Sequence, residues 1–211
     1  MPLSSDRTRG RAATEAAILR AARGLLAERG FSGLGVNALA RRAGCDKQLI
    51  YRHFGGLEGL IDRVGADLTG WVERALVPLD ALGRLESYAE LVERLLIGYL
   101  QALRDDPVMQ RVVAWELSDP SPMVRRLGEA RSRGLSAWVA RQRGDLAPPA
   151  GLDAPAVNAL LIAAVQHVVL AAGISGSFAG LALASEEEWD RLRGAMRLVV
   201  RRVLAPAEPP A

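Results

Sequence analysis

Apolar residues recur at three- and four-residue steps in nine stretches of the chain, and each stretch reads as a helix with a buried face. The first runs from about Thr14 to Arg29. Ile18, Ala21, Ala22, Leu25 and Leu26 form its stripe, and Gly30 ends it. Phe31 and Leu34 follow as plugs for a small core. Val36 opens a second helix in which Leu39, Ala40 and Ala43 share a side. Gly44, free to take the left-handed conformation, ends it, and Asp46 caps a third. Gly55-Gly56 breaks the third helix. A fourth is predicted from about Leu57 to Leu76, stopped by Pro78, with Leu57, Leu60, Ile61, Val64, Leu68, Trp71 and Val72 on one broad face. A fifth spans about Arg84 to Arg104 and ends at Asp105-Asp106-Pro107. A sixth runs from Pro107 to about Leu117, and a seventh from about Pro122 to Arg143. Asp153 caps an eighth that reaches Ala172. After a Gly/Ser-rich link, the capping box Ser185 to Glu188 opens a ninth that ends near Leu204. The expected class is all-α.

The stretch from Val36 to Phe54 organises the rest. Two short helices with a tight turn between them form a helix-turn-helix pattern, whose second helix enters the DNA major groove in such proteins. Cys45, Ile50 and Phe54 face inward. Lys47, Gln48, Tyr51 and Arg52 are left outside, with Lys47 and Tyr51 one turn apart, as are Gln48 and Arg52. Lys and Gln can read base edges, and Tyr and Arg can hold phosphates. His53, Asn37 and the backbone N–H of Gly56 complete the expected DNA-contacting set. The bland alternative is a three-helix cluster whose outer face is merely solvated. The polar face, the N-cap and the basic flanks together weigh against it. Residues 1–55 hold ten basic and four acidic residues, a net +6, and the rest holds seventeen and twenty, a net −3. A basic unit on a mildly acidic body fits a DNA-binding module carried by a separate body.

At this stretch a specific resemblance appears. Tyr51-Arg-His-Phe54, preceded by Ala40-x-x-Ala43-Gly44 and followed by Leu60, resembles the signature of the tetracycline-repressor (TetR) family of bacterial transcription regulators. Ile18-Leu-x-Ala-Ala22, then Leu26, Gly30 and Phe31, is similar to that family's first helix and its exit. The resemblance covers about residues 14 to 64. It implies homodimerisation through the two C-terminal helices, an effector pocket in the body, and a fourth helix joining the two parts. It also implies Lys or Arg three residues after the signature Phe, on a phosphate, where this chain has Leu57.

The expected organisation is a flexible basic arm at 1–13, a helix-turn-helix domain at 14–55, an effector-binding and dimerisation domain at 56–204, and a disordered tail at 205–211. In the ninth helix Trp189, Leu192, Met196, Val199 and Val203 form one seam. The eighth is apolar nearly all round, through Leu160, Leu161, Ala164, Val165, Val168 and Val169. Two apolar sides on one helix in so small a domain point to a second subunit. The expected dimer interface is therefore Leu161, Val165, Val168, Trp189, Leu192, Met196 and Val199. The apolar run from Ala154 to Ile174 is interrupted by Asn158, Gln166 and His167, and reads as a buried helix more than a membrane span. Trp71, Tyr88, Tyr99, Met109, Trp115, Met123, Trp138 and His167 are the candidate walls of a largely apolar effector pocket. The competing reading for each is core filling, and for His167 a hydrogen-bonded core histidine.

Other chemistry is sparse. Cys45 is the single cysteine, so no intramolecular disulfide forms, and with two distant histidines no metal site is expected. No nucleophile elbow, phosphate loop or dinucleotide motif is present, and Asp105-Asp106 is explained by capping. The N-terminus is polar and arginine-rich, unlike a signal peptide, so a cytoplasmic protein with no cofactor is expected. The reading is a homodimeric repressor of a palindromic operator on double-stranded DNA, released by a small, mostly apolar effector. Its rivals are a helix-turn-helix regulator without a small-molecule ligand, and an all-helical enzyme.

Overall fold

A computed structural model describes residues 3–76 and 85–204. Among them are nine helices: α1 (Leu3–Arg29), α2 (Val36–Ala43), α3 (Lys47–Phe54), α4 (Leu57–Leu76), α5 (Tyr88–Asp105), α6 (Pro107–Ser118), α7 (Pro122–Arg143), α8 (Ala154–Ser175) and α9 (Glu186–Val203). A single 3₁₀ turn, Phe31–Gly33, follows α1. The all-α expectation is met apart from one small hairpin. The expected stop at Pro78, the expected start at Arg84 and the tail at 205–211 lie outside the described residues.

Helix α1 begins at Leu3, not near Thr14, so residues 3–13 are helical where an irregular arm was expected. No proline interrupts them, and Ala12 and Ala13 favour the helix. Thr14, taken as the start, is internal: its hydroxyl donates to the Gly10 carbonyl at 2.9 Å. Helix α5 starts later than expected because Ser87 caps it, its Oγ accepting from Glu90 N at 3.1 Å. Between α8 and α9 the chain forms a two-stranded antiparallel hairpin, β1 (Ser177–Phe178) and β2 (Leu181–Ala182). Its two-residue turn, Ala179-Gly180, has positive φ at both positions, 50° and 81°, which suits the twist of a tight hairpin.

The chain forms two compact units. They do not divide at residue 55: the first comprises 1–71 with 111–136, and the second 72–110 with 137–211. In the first unit, Ile18 and Leu26 of α1, Leu39 of α2, Ile50 of α3, Leu60 of α4 and Leu127 of α7 are fully buried. The α4 and α7 backbones approach closely where Gly65 faces Ala130, and a buried Thr69 hydroxyl donates to the Gly65 carbonyl at 3.1 Å. In the second unit α5 is the centre, packed against both α8 and α9. Leu91, Leu100, Leu103, Val165 and Val200 are among its fully buried residues. Polar ties join these helices: Asn158 Nδ2 donates to Tyr88 Oη at 2.9 Å, and Gln166 Nε2 to Tyr99 Oη at 3.0 Å.

Helix α8 is not the buried helix its composition suggested. It is long and apolar enough to cross a membrane, with a mean hydropathy of 2.0, yet only 17% of that window is buried in the chain. Leu160 is 72% exposed and Ile174 88%, and Leu198 on α9 is 59% exposed. Of the expected interface residues, Val165, Val168 and Trp189 are buried within the chain. Trp189 Nε1 donates to the Leu183 carbonyl at 3.0 Å, and Arg104 stands over the indole at 4.1 Å. Leu161, Leu192 and Met196 are half-buried, and Val199 is exposed. An all-round apolar helix carries no periodicity to say which side its own chain covers.

Candidate nucleic-acid interface

The turn between α2 and α3 forms as the sequence requires. Gly44 sits at φ 66°, ψ 34°, and its N–H returns to the Ala40 carbonyl, as does that of Cys45 at 3.1 Å. The Asp46 carboxylate accepts from Gln48 N at 2.7 Å and caps α3. Ile50 is fully buried against the α1–α2 core, so the opposite face of α3 is turned out. Lys47, Gln48, Tyr51 and Arg52 are exposed there, and Asn37 is exposed on α2. Burial pushes the Cys45 thiol up, which suits an inert packing residue in the turn.

Asn37, Lys47 and Tyr51 come together in a shallow groove of about 610 Å³, with Ser32, Gly35, Val36 and Arg41 on its walls. Gly35 precedes α2 and no side chain caps that helix. Its first-turn amides therefore have no side-chain partner, and Lys47 and Arg41 line the same groove. Arg41 is a cation the sequence reading passed over, because it lies on α2 rather than α3. Its neighbour Arg42 is committed: it spans Gly24 and forms two 2.6 Å hydrogen bonds to the Glu28 carboxylate, which it holds below the ordinary range.

Two residues of the expected DNA-contacting set, His53 and Gly56, are less exposed than the rest. His53 is turned inward, its side chain 5% exposed and Nδ1 3.1 Å from Glu15 Oε1. The residue lies on the α1 side of α3, so it does not present itself to a phosphate. Gly56 is buried, and the Tyr51 ring lies 3.5 Å from where a β-carbon on it would stand. The missing basic residue at position 57 has a counterpart in packing. Leu57 is half-buried and lines an open cleft of about 950 Å³ with Phe31, Leu34, Pro122 and Met123. Beside it Arg126 grips Asp62 through Nε and Nη2 at 2.8 and 2.7 Å and reaches Glu58 at 2.8 Å, which lowers the Asp62 carboxyl.

The eight pocket candidates are divided between the two units. Trp71, Trp115 and Met123 belong to the first unit, and Tyr88, Tyr99, Met109, Trp138 and His167 to the second. Tyr88, Met109 and Trp138 are buried core. Trp115 is 39% exposed and packs against Gly30, where a β-carbon would meet its ring at 2.8 Å. His167 is neither buried nor in a core hydrogen bond. It lies on the outward row of α8, edge-on to Phe178 with ring centroids 4.7 Å apart. Helical spacing shows which residues share a face, and a histidine interrupting an apolar row gives no sign that the row faces out.

Comparison with known proteins agrees with this geometry. Residues 18–64 match the family model for bacterial regulatory proteins, tetR family. An uncharacterized HTH-type transcriptional regulator of Mycobacterium tuberculosis is 29% identical over 136 residues, which span 62% of this chain and 62% of that protein, less than two thirds of either. The fold is similar to that of GusR from Salmonella enterica, with a TM-score of 0.63, 20% identity, and coverage of 90% of this chain and 95% of that one. It is also similar to FadR from Bacillus subtilis in complex with stearoyl-CoA, with a TM-score of 0.60, 17% identity, and coverage of 92% and 99%. The left-handed glycine turn, the capped α3 and the outward Lys-Gln-Tyr-Arg face all lie inside residues 18–64, the segment that matches the model of the tetR family of bacterial regulatory proteins.

Proposed function

We propose that the protein is a DNA-binding transcription regulator, a repressor that occupies a palindromic operator as a homodimer in the cytoplasm and performs no catalysis. The observation that carries this reading is the outward face of α3, with Lys47, Gln48, Tyr51 and Arg52 exposed around a fully buried Ile50. Lys47 and Gln48 lie in the first turn, where recognition helices meet base edges. Tyr51 and Arg52 lie one turn on, at the level of the backbone. The groove at the start of α2 supplies a further phosphate site.

Dimerisation is supported by the outward rows of α8 and α9. Leu160, Ile174, Leu198 and Val199 are large apolar side chains left uncovered by their own chain. A second copy would cover them through a two-fold contact, the same patch meeting itself. Two recognition helices about 34–36 Å apart then enter successive major grooves. This assignment also accounts for the apolar length of α8 without a membrane.

Release by a small, mostly apolar effector follows as a population shift. A ligand that binds the non-operator spacing more tightly lowers DNA affinity by that difference. The structure of Bacillus subtilis FadR with stearoyl-CoA is an instance of a similar fold holding a molecule with a long apolar acyl chain, there joined to a polyanionic head. Enrichment of random-sequence duplexes by the full chain tests the reading. A two-fold symmetric consensus is expected, and Lys47→Ala or Gln48→Ala should relax preference at single positions at a cost of about 1–3 kcal/mol. If neither substitution alters binding to the enriched duplex, α3 is not the reading helix.

A further inference from the structure

His53 sits inside the family signature but turns away from the surface that signature forms. Its side chain is 5% exposed, and its Nδ1 meets Glu15 Oε1 at 3.1 Å. The same oxygen takes Arg11 Nε at 3.1 Å, one helical turn earlier on α1. Both bonds, His53's first, hold the Glu15 carboxyl below its ordinary range. Among the described residues, this is the one side-chain hydrogen bond that joins α3 to another helix. The other ties of α3 are of a different kind. Asp46 caps it locally, and Ile50 packs into the core. Apolar packing has no direction of its own and permits a short helix to roll. A hydrogen bond to a charged carboxylate does have direction, and it acts near the C-terminal end of an eight-residue helix whose first turn carries Lys47 and Gln48.

We infer that Glu15 is a positioning residue for DNA reading: through His53 it sets the roll of α3, and so where Lys47 and Gln48 meet base edges, without touching DNA itself. This rests on the DNA-binding reading and deepens it. Glu15 lies on α1 ahead of residues 18–64, outside the part of the chain that the family model covers. The early start of α1 thereby gains a role: Arg11 and Glu15 belong to consecutive turns of a helix that braces the reader.

The test uses the full chain and a duplex enriched by it from a random pool, with a mixed-sequence duplex as control. Glu15→Ala should weaken binding to the enriched duplex roughly tenfold, the scale of a lost charged hydrogen bond. It should change mixed-sequence binding little, since phosphates carry no sequence information. Glu15→Gln should recover most of the loss, because its amide oxygen accepts from the same N–H. The double variant Glu15→Ala, His53→Ala should lose no more than either single variant. The log–log salt slope should stay at the parent value, because no phosphate contact is removed. A purely structural role would instead lower the melting temperature and weaken both duplexes in proportion. Parent-like binding by Glu15→Ala overturns the inference. So does a His53→Ala slope reduced by about 0.9 with Glu15→Ala unaffected, since that would make His53 a phosphate donor. If Glu15→Ala does not fold, Glu15→Gln and His53→Asn decide. Asparagine Nδ2 takes the place of Nδ1, so both must bind within about threefold of the parent, and a larger loss in either overturns the proposal. A parent chain that enriches no duplex removes the DNA-binding reading and this inference together; a parent that binds beside an equally active Glu15→Ala removes this inference alone.

Discussion

Gly134 on α7 packs against the side chain of Thr69 on α4, so closely that a β-carbon on Gly134 would stand 2.7 Å from Thr69 Oγ1 and 3.0 Å from its Cγ2. Thr69 is buried, and its hydroxyl lies 3.3 Å from the Arg131 carbonyl as well as donating to Gly65. Two effects compete in Gly134→Ala. Alanine gains about 1 kcal/mol in helix propensity. Overpacking a tight contact costs about 1–3 kcal/mol, so net destabilisation of up to about 2 kcal/mol is expected. Thr69→Ala in the same chain should relieve it, giving a double variant more stable than the sum of the singles. Urea titration of the four proteins checks this, and additive effects would mean that the two residues do not touch.

The legibility of the fold varied with the kind of signal. The bounds of α2, α4 and α7 followed from Gly44, the Gly55-Gly56 pair, and the proline at Pro122, because glycine opens the left-handed conformation that ends a helix and proline fixes φ at the start of one. The start of α1 was missed because residues 3–13 look polar and unpacked, and polarity was allowed to outweigh the helix propensity of Ala12 and Ala13. The hairpin at 177–182 was missed because Ala179 adopts a positive φ that its residue type does not announce. On α3 the outward Lys, Gln, Tyr and Arg were legible from spacing alone. His53 was not, since its inward direction depends on Glu15, thirty-eight positions earlier. Trp189 belongs to the α9 seam by spacing, but the seam runs from a buried Trp189 to an exposed Val203, a tilt that no periodicity records.

That tilt separates two kinds of variant. Leu160→Glu and Leu198→Glu place a charge where the chain leaves the side chain 72% and 59% exposed, so the protomer should fold normally. Sedimentation at micromolar concentration should show monomer, with loss of affinity for the two-fold duplex, because an interface cannot bury an unpaired carboxylate cheaply. Trp189→Ala should instead destabilise the protomer itself by about 3–5 kcal/mol. A parent chain that sediments as a monomer would end the dimer reading.

The Glu186 carboxylate accepts from Arg104 and from Arg193, and the pair holds its pKa down to about 2 from 4.5. A carboxylate depressed in the folded state stabilises it above the unfolded pKa. That contribution should therefore be complete above about pH 5 and disappear as pH falls from about 4.5 toward 2. Glu186 is exposed, so the effect is small and screened by salt. Glu186→Gln should melt slightly below the parent at pH 6 in low salt, and the two curves should converge as the pH approaches 2. A gap that widens in acid would reverse the sign and exclude this pairing as its source.

Leu57 allows the operator geometry to be tested from the position where this chain departs from the family signature it resembles. The side chain is half-buried along the apolar wall formed by Phe31, Leu34, Pro122 and Met123. Lysine at 57 can keep its methylene stem on that wall and lift the ammonium outward, so the stability cost should be about 1 kcal/mol, less than for a fully buried leucine. A cation at the start of a helix also opposes the helix dipole by a few tenths of a kcal/mol, roughly. Against these stands one added phosphate contact, which releases condensed counterions. Leu57→Lys should therefore tighten binding to enriched and mixed-sequence duplexes alike, steepen the log–log salt slope by about 0.9, and leave base preference unchanged. Glu58 and Arg126 limit the alternatives. Glu58 is itself paired to Arg126 at 2.8 Å, so a new ammonium drawn to that carboxylate would compete with Arg126 and lower the melting temperature without altering the slope. Thermal melting and salt-dependent binding of the same variant separate these outcomes. A stably folded Leu57→Lys protein with the parent slope would show that the start of α4 does not lie on the DNA backbone.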